Sequence, residues 1–324
     1  MRRRAFFALV GGAAAAATWP RPGRGQSAKT ARVAWVDPGP RGDIFVNALR
    51  QGLVDRGYVL GRDLEIEERY AEGNPEKLPT LVADLLALGV DVLAPAGTQA
   101  ALAARKATST VPIVSVTGDP VAVGLVASLS RPGGNVTGLS LLAGDYNAKW
   151  LELLKAAVPT LRRVAVLWNP DNPFTQLEMR RLEEAAPPLG LTLTRLSDRL
   201  PELESSFAAI AAGSFDGMVV AEDASLEALM PRFVAFAAQA RLPALYGESG
   251  FVRQGGLMSY SANLFEIWRR AAGYVDRILK GARPSDLPIE QATEIALKIN
   301  LKTAKALGLD IPPLLLASAD EVIE

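Results

Sequence analysis

The residues of this 324-residue chain that could do chemistry are polar side chains that follow predicted β-strands. Ligands of open parallel sheets bind outside the carboxyl ends of the strands, so side chains at those ends are the first candidates for a site. As a group they favour a cleft for a small molecule. The predicted ligand-binding residues are Asp37, Thr98, Gln99, Thr117, Asp119, Thr137, Asn169, Asp223, Tyr246, Glu248 and Tyr260.

These residue types favour an amino acid or a similar zwitterion as the ligand. The hydroxyls of the three candidate threonines, together with helix N-termini, suit a carboxylate. The carboxylates of Asp119, Asp223 and Glu248 suit an ammonium group, and the two candidate tyrosines suit an apolar or aromatic side chain. A sugar or another organic acid is the second choice.

Each candidate also has a structural role open to it. Asp119 precedes a proline and a predicted helix, so it could act as an N-cap, and Thr98 and Ser225 could do the same. Asp223 follows an apolar strand and could contact solvent or the start of a helix. Asp37 and Asn169 each begin a turn that contains proline. The tyrosines could be half-buried amphipathic residues of the core.

The composition excludes several classes of catalyst. The chain has no histidine and no cysteine, which excludes Ser-His-Asp and Cys-His catalysis, His/Cys zinc sites, histidine-ligated haem and disulfides. The sequence also lacks glycine-rich nucleotide-binding motifs and carboxylate clusters with metal-site spacing. We therefore predict no cofactor, no metal and no enzymatic activity.

The N-terminus has the layout of an export signal. Three arginines at positions 2–4 precede an apolar run, Ala5 to Thr18, which proline and glycine then interrupt. The run is shorter than the ~20 residues of a transmembrane helix, so residues 1–25 are predicted to be a cleaved signal peptide of twin-arginine type. A general secretion signal would look similar, and a membrane anchor is the less favoured alternative.

Cleavage at this position changes the charge of the chain. The full sequence has 35 Lys+Arg and 35 Asp+Glu, and residues 1–25 contain five arginines and no acid. The mature chain would therefore carry 30 basic and 35 acidic residues, a net charge of −5. Such a surface is not expected to bind nucleic acid.

Strand and helix signals alternate along the rest of the chain. Short β-rich runs such as Arg32–Val36 and Leu64–Arg69 are separated by amphipathic segments such as Asp43–Arg56. This alternation predicts parallel βαβ units and an α/β fold.

Three short segments recur in the same order in the two halves. The matched pairs are Arg32–Pro38 with Arg163–Pro170, Val90–Leu93 with Phe215–Val220, and Val111–Val114 with Leu242–Leu245. Chance is the alternative, since buried parallel strands are all runs of valine, isoleucine and leucine. The constant order favours two lobes of one topology.

Several stretches of the sequence resemble a family of ABC-transporter substrate-binding proteins, some of whose members are tied to aromatic amino acids. The matching stretches are Val111–Val114, Asp119–Val121, Gly124–Leu129, Arg131–Gly138, Gly255–Tyr260, Tyr274–Gly281, Asn300–Ala304 and Ala319–Ile323. The resemblance spans nearly all of the chain after the signal peptide. It implies a type I periplasmic-binding-protein fold, with two Rossmann-like lobes of parallel sheet, a three-stranded hinge and a cleft that closes on its ligand.

From this fold we expect two lobes, each built from separated segments. The N-terminal lobe should comprise residues 26–137 and about 262–286, and the C-terminal lobe residues 138–260 and about 287–324, with segments that cross the hinge. Two residues depart from the family pattern: Tyr70 stands where many members carry tryptophan, and Ser261 where glycine is common. Both bear on ligand choice.

The leading functional interpretation is a periplasmic receptor, monomeric and not lipid-anchored, that delivers a small solute to an ABC permease in the inner membrane. A ligand sensor that feeds a signalling receptor is one alternative. A secreted Rossmann-like enzyme is another, which the missing histidine, cysteine and nucleotide motifs disfavour. A transcription regulator would need a DNA-binding helix pair before the first strand, where the export signal stands.

Overall fold

The computed structural model describes residues 30–42, 44–141, 146–292 and 294–324. The predicted signal peptide, residues 1–25, lies outside the described residues. Within these ranges the chain forms two α/β lobes, each built on one sheet.

The sheet of the first lobe has six strands. These are β1 (Ala31–Asp37), β2 (Leu64–Tyr70), β3 (Val92–Pro95), β4 (Ile113–Thr117), β5 (Val136–Ser140) and β11 (Glu290–Gln291). They are parallel throughout, in the order β11-β5-β4-β3-β1-β2. Strands β3, β4 and β5 are buried along their whole length, as in sheets covered by helices on both faces.

Four helices pack on this sheet: α1 (Phe45–Val54), α2 (Leu78–Ala87), α3 (Gly97–Ala107) and α9 (Leu264–Leu279). Helix α1 lies within the predicted Asp43–Arg56 segment. Helix α9 packs along α1, and its Trp268 contacts Trp35 of β1 with ring centroids 4.5 Å apart. Helix α9 thus lies in the first lobe, although it follows most strands of the second.

The sheet of the second lobe has seven strands. These are β6 (Arg163–Trp168), β7 (Thr192–Ser197), β8 (Gly217–Val220), β9 (Ala244–Tyr246), β10 (Met258–Ala262), β12 (Ile295–Asn300) and β13 (Glu321–Ile323). Their order is β13-β12-β10-β9-β8-β6-β7, with β10 and β12 antiparallel and the other pairs parallel.

The helices of this lobe are α4 (Tyr146–Ala157), α5 (Pro173–Ala185), α6 (Leu203–Ala212), α7 (Met230–Gln239), α8 (Gly250–Arg253), α10 (Leu301–Leu307) and α11 (Pro313–Ala317). A 3₁₀ helix, Ala224–Leu229, precedes α7. Across the described ranges, no helix is long and apolar enough to cross a membrane.

The two lobes share one strand order, β2-β1-β3-β4-β5 and β7-β6-β8-β9-β10, which confirms the predicted repeat of topology. The echoed residues Asp91 and Asp216 also have the same role. Asp91 Oδ2 accepts a hydrogen bond from Arg32 N at 2.9 Å, and Asp216 Oδ2 accepts one from Arg163 N at 2.8 Å. In each lobe, an aspartate thus fixes the start of the first strand.

The chain passes between the lobes after β5, between β10 and α9, and between β11 and β12. Strand β5 spans the expected boundary at 137–138 and lies wholly in the first sheet. The segment from Leu287 to Ala292, expected with the second lobe, bonds to β5 instead: Leu287 O accepts from Thr137 Oγ1, and Ala292 N donates to Ser140 O, both at 2.8 Å.

Candidate functional site

A cavity lies between the lobes at the carboxyl ends of both sheets. Residues of both lobes line it, as in small-molecule sites that form between two domains. The first lobe contributes the end of β4 and the start of α3, and the second contributes the ends of β8 and β9 and the start of α5. The cavity is therefore where the sequence predicted a site.

Aromatic rings form much of the cavity wall. The four that line it are Phe45, Phe174, Phe251 and Trp268. Trp268 is held edge-on against the buried Trp35, and Phe251 stacks on Tyr246 with centroids 4.5 Å apart. Because core residues hold these rings in place, they offer fixed flat surfaces to an aromatic or large apolar group.

Buried carboxyl groups form the second-lobe wall. Glu222 and Glu248 line the cavity and are 7% and 5% exposed. Burial, and then the charge of Glu248, raises the pKa of Glu222 to about 8, and burial also raises the pKa of Glu248. None of the described residues that line this cavity is a lysine or an arginine. An ammonium group would therefore meet acceptors and no competing cation in the wall.

A buried polar cluster lies behind Glu222, on α4 and α5. The Tyr146 hydroxyl donates to Glu222 Oε2 at 3.3 Å, and Asn147 Nδ2 donates to Glu178 Oε1 at 2.8 Å. Burial and the charge of Glu222 raise the pKa of Glu178 well above its usual range. Because these donors are neutral, they orient the carboxyls without balancing a negative charge.

Asp223 lines the cavity as well, but its oxygens are engaged. Oδ1 accepts from Ser225 N at 2.8 Å and from Ser225 Oγ at 2.6 Å, and Oδ2 accepts from Asn172 Nδ2 at 3.0 Å. Asp223 is thus the N-cap of the 3₁₀ helix, the structural role that the sequence left open. Glu222, held by a longer hydrogen bond, has more acceptor capacity left for an ammonium group.

The first-lobe wall supplies neutral donors. Thr98 and Thr117 line the cavity and are almost fully buried. Thr117 Oγ1 has no hydrogen-bond partner among the described residues. Helix α3 begins at Gly97 and follows Ala96, whose side chain cannot accept a hydrogen bond. The amides of the first turn of α3 therefore have neither a carbonyl partner within the helix nor a side-chain cap. These groups could bind a ligand carboxylate.

Glu248 completes the set of candidates that the cavity brings together, with Thr98, Thr117 and Asp223. Its Oε2 accepts from Gly250 N at 2.6 Å, which anchors the carboxyl at the start of α8. Two of the four candidates thus come from each lobe.

Three further candidates lie beside the cavity rather than in its wall. Asn169 Nδ2 and Gln99 Oε1 are 3.5 Å apart and join the two lobes, and both residues line a smaller neighbouring cavity. Asp37 Oδ1 accepts from Gly39 N at 2.6 Å and so fixes the turn after β1.

The last four candidates have contacts away from the cavity wall. Asp119 Oδ1 accepts from Ala122 N at 3.0 Å, and Thr137 Oγ1 donates to Leu287 O. Tyr246 is fully buried in the core beneath Phe251, and Tyr260 packs edge-on against Tyr146 with centroids 6.4 Å apart. Contact of Asp119, Tyr246 and Tyr260 with a ligand stays a prediction, whereas the hydrogen bond to Leu287 gives Thr137 a structural role.

Replacing Thr137 with valine should lower the free energy of unfolding by about 1–3 kcal/mol, because the buried Leu287 carbonyl loses its donor. Ligand affinity should stay within about twofold, a change of less than 0.5 kcal/mol. Urea denaturation and calorimetric titration measure the two effects, with the exposed Thr194→Val as the matched control. A large loss of affinity at unchanged stability would place Thr137 in the site instead.

The ligand-binding residues predicted from the sequence did not include Glu222, Phe174 or Trp268, which all line the cavity. Glu222 and Asp223 both follow β8. The sequence pattern does not show which of these two side chains faces a ligand. Trp268 lies one helical turn after Leu264 on α9, a helix expected in the first lobe, but the sequence did not show which of its side chains reach the cavity beside β4. Phe174 follows the proline that starts α5.

The lobes touch each other at glycine positions around the cavity. A Cβ atom on Gly39 would lie 3.2 Å from Ala224 O and from Ser225 Cα, and one on Gly97 would lie 2.9 Å from Ala224 Cβ. A Cβ atom on Gly118 would overlap the Phe174 ring, at 1.9 Å from Cε2. The structure is therefore a closed arrangement of the lobes that leaves no room for side chains at these points.

The sequence matches a known family. A family model described as ABC transporter substrate binding protein covers residues 34–323. A relative from Clostridioides difficile (strain R20291), described as a tyrosine-binding protein, is 26% identical over 262 residues, which span 80% of this chain and 75% of that protein.

Solved structures agree with this match. A conserved domain protein from Vibrio cholerae is 31% identical, with a TM-score of 0.82 over 91% of this chain and 100% of that one. An ABC domain from Streptococcus pneumoniae, in complex with L-Trp, is 25% identical, with a TM-score of 0.81 over the same shares. Solved periplasmic binding proteins of lower identity share the fold. The expected two-lobe periplasmic-binding-protein fold is therefore confirmed.

Proposed function

The chain belongs to the ABC transporter substrate-binding protein family, and from this premise we propose that it captures an aromatic amino acid in the interlobe cavity. It would then deliver the amino acid to an ABC permease. The observation that carries the proposal is the composition of the cavity: aromatic walls stand between buried acceptors on one lobe and neutral donors on the other.

Each part of an aromatic amino acid has a complementary surface. The ring would lie among Phe174, Phe251 and Trp268, the ammonium group would face Glu222, and the carboxylate would face Thr117 and the start of α3. Because opposite ends of the ligand would be held by opposite lobes, neither lobe alone could satisfy both charges. Binding would then favour the closed arrangement.

The similar proteins support the aromatic preference. One relative is described as tyrosine-binding, and one similar structure holds L-Trp. Within the zwitterion class expected from the sequence, we therefore propose tyrosine, tryptophan or phenylalanine as the ligand.

A ligand screen tests this proposal directly. Thermal shift and calorimetric titration should give stabilisation and measurable affinity with L-tryptophan, L-tyrosine or L-phenylalanine. L-leucine, L-glutamate and glucose serve as comparison compounds. A ligand at 100 times its Kd adds about 2.7 kcal/mol to the stability of the folded state. Stabilisation by glucose and by no aromatic amino acid would contradict the proposal.

Replacing Thr117 with alanine should weaken binding of the amino acid about tenfold, because a hydrogen bond to a carboxylate is lost. The melting temperature without ligand should hardly change, since Thr117 Oγ1 has no partner among the described residues. Calorimetric titration measures the effect, with the exposed Thr194→Ala as the control. Unchanged affinity would move the carboxylate away from β4.

We also propose that the protein works in the periplasm as a monomer. The support for export is the composition of residues 1–25, whose structure is outside the described ranges. N-terminal sequencing of periplasmic material should give a mature chain that starts near Gln26. An intact Met1 in the cytoplasm would contradict export.

A further inference from the structure

We propose, on the basis of the function above, that the ammonium group is the dominant recognised charge of the ligand, so that aromatic amines without a carboxylate also belong to the ligand class. The feature behind this proposal is the unequal chemistry of the two lobes around one closed cavity.

The second lobe presents only acids as charged groups. Glu222, Asp223, Glu227 and Glu248 line the cavity, and no lysine or arginine does so among the described residues. Clefts lined by one sign of charge concentrate ligands of the opposite sign. Arg253 and Lys298 influence Glu248 from outside the wall, and neither is among the described residues that line the cavity.

The first lobe has no charge to hold a carboxylate. Its polar groups in the wall are the Thr98 and Thr117 hydroxyls and the first amides of α3. An ordered water can accept a hydrogen bond from a buried neutral donor in place of a ligand oxygen. Thr117 Oγ1, buried and without a partner among the described residues, could therefore be satisfied by a water when the ligand has no carboxylate.

The two ends of an amino acid thus contribute unequally. An ammonium group would replace water at buried carboxyls that have no cation beside them in the wall, and its loss would leave them without a charged partner. A ligand without the carboxylate would bring no negative charge into a cavity whose charged lining residues are all acids. An aromatic amine should bind well, whereas an aromatic acid with the same skeleton should not.

Calorimetric titration with three matched compounds at pH 8 tests this inference. Tryptamine should bind within about tenfold of L-tryptophan, and indole-3-propionate at least about 100-fold more weakly than L-tryptophan. The same comparison is made for a phenol ring with tyramine, L-tyrosine and 3-(4-hydroxyphenyl)propionate.

Two results would overturn the inference while leaving the proposed function intact: an acid that binds as tightly as its amino acid, or an amine that binds over 100-fold more weakly. If none of the six compounds binds, the proposed function fails and the inference fails with it.

The Glu222→Gln variant locates the recognised charge. It should weaken binding of tryptamine and L-tryptophan by about 10- to 100-fold. The control is Glu183→Gln, which removes only an exposed ion pair with Arg195. Unchanged binding of tryptamine by Glu222→Gln would overturn the assignment of the ammonium group to this wall.

Discussion

A tryptophan in place of Gly39 is expected to weaken ligand binding by about 100-fold. Gly39 belongs to the first lobe, and a Cβ atom there would lie 3.0 Å from Asp37 Oδ1 of the same lobe and 3.2 Å from Ala224 O and Ser225 Cα of the second lobe. An indole at this point would have to stand between the lobes. Forcing large groups into packed contacts costs about 3 kcal/mol at the upper end of the usual range, which corresponds to about 100-fold in affinity.

The same variant is expected to fold, because the backbone atoms close to Gly39 belong to the other lobe, and the nearest atom of its own lobe is Asp37 Oδ1, the end of a side chain. Small-angle scattering with saturating ligand should show a smaller radius of gyration for the parent protein and no such change for Gly39→Trp. Lys302→Trp, on the exposed side of α10, controls for an added indole. Parent-like affinity in Gly39→Trp would show that closure at this contact is not required for binding.

The location of the site could be predicted from the sequence because strand ends are a property of topology. Thr117 and Glu248 follow buried apolar runs, and parallel strands bring such ends to one edge. The repeat of order in the two halves predicted two such edges, which line one cleft if the lobes face each other. These inferences need only the alternation of strands and helices.

The direction of each side chain could not be predicted in the same way. Glu222 and Asp223 are neighbours, and the choice between them depends on Ser225 and Asn172, which occupy the Asp223 oxygens. Thr137 lies in β5 and bonds to Leu287, which is 150 residues away along the chain. Partners that distant leave no local signal in the sequence.

Ligand affinity is expected to rise about tenfold from pH 6 to pH 7, and about fivefold more from pH 7 to pH 8, where the pH reaches the pKa of Glu222. In the free protein, burial and the charge of Glu248 raise the pKa of Glu222 to about 8, so the group is protonated at pH 6. An ammonium ion beside it favours the carboxylate, and binding at low pH must therefore release a proton. Each unit below that pKa then costs about 1.4 kcal/mol of binding free energy.

Titration calorimetry at pH 7, in buffers that differ in ionisation enthalpy, counts the released protons, and Glu222→Gln should flatten the pH profile. The stability of the ligand-free protein should change in the opposite direction. Because the pKa of Glu222 is about 8 in the folded state against 4.5 without burial, the folded state holds more protons between these values. Its free energy of unfolding therefore falls as the pH rises through this window, and burial raises the pKa of Glu178 and of Glu248 in the same direction. Affinity that is constant from pH 6 to pH 8, with no proton released, would mean that the ligand brings no ammonium group to Glu222.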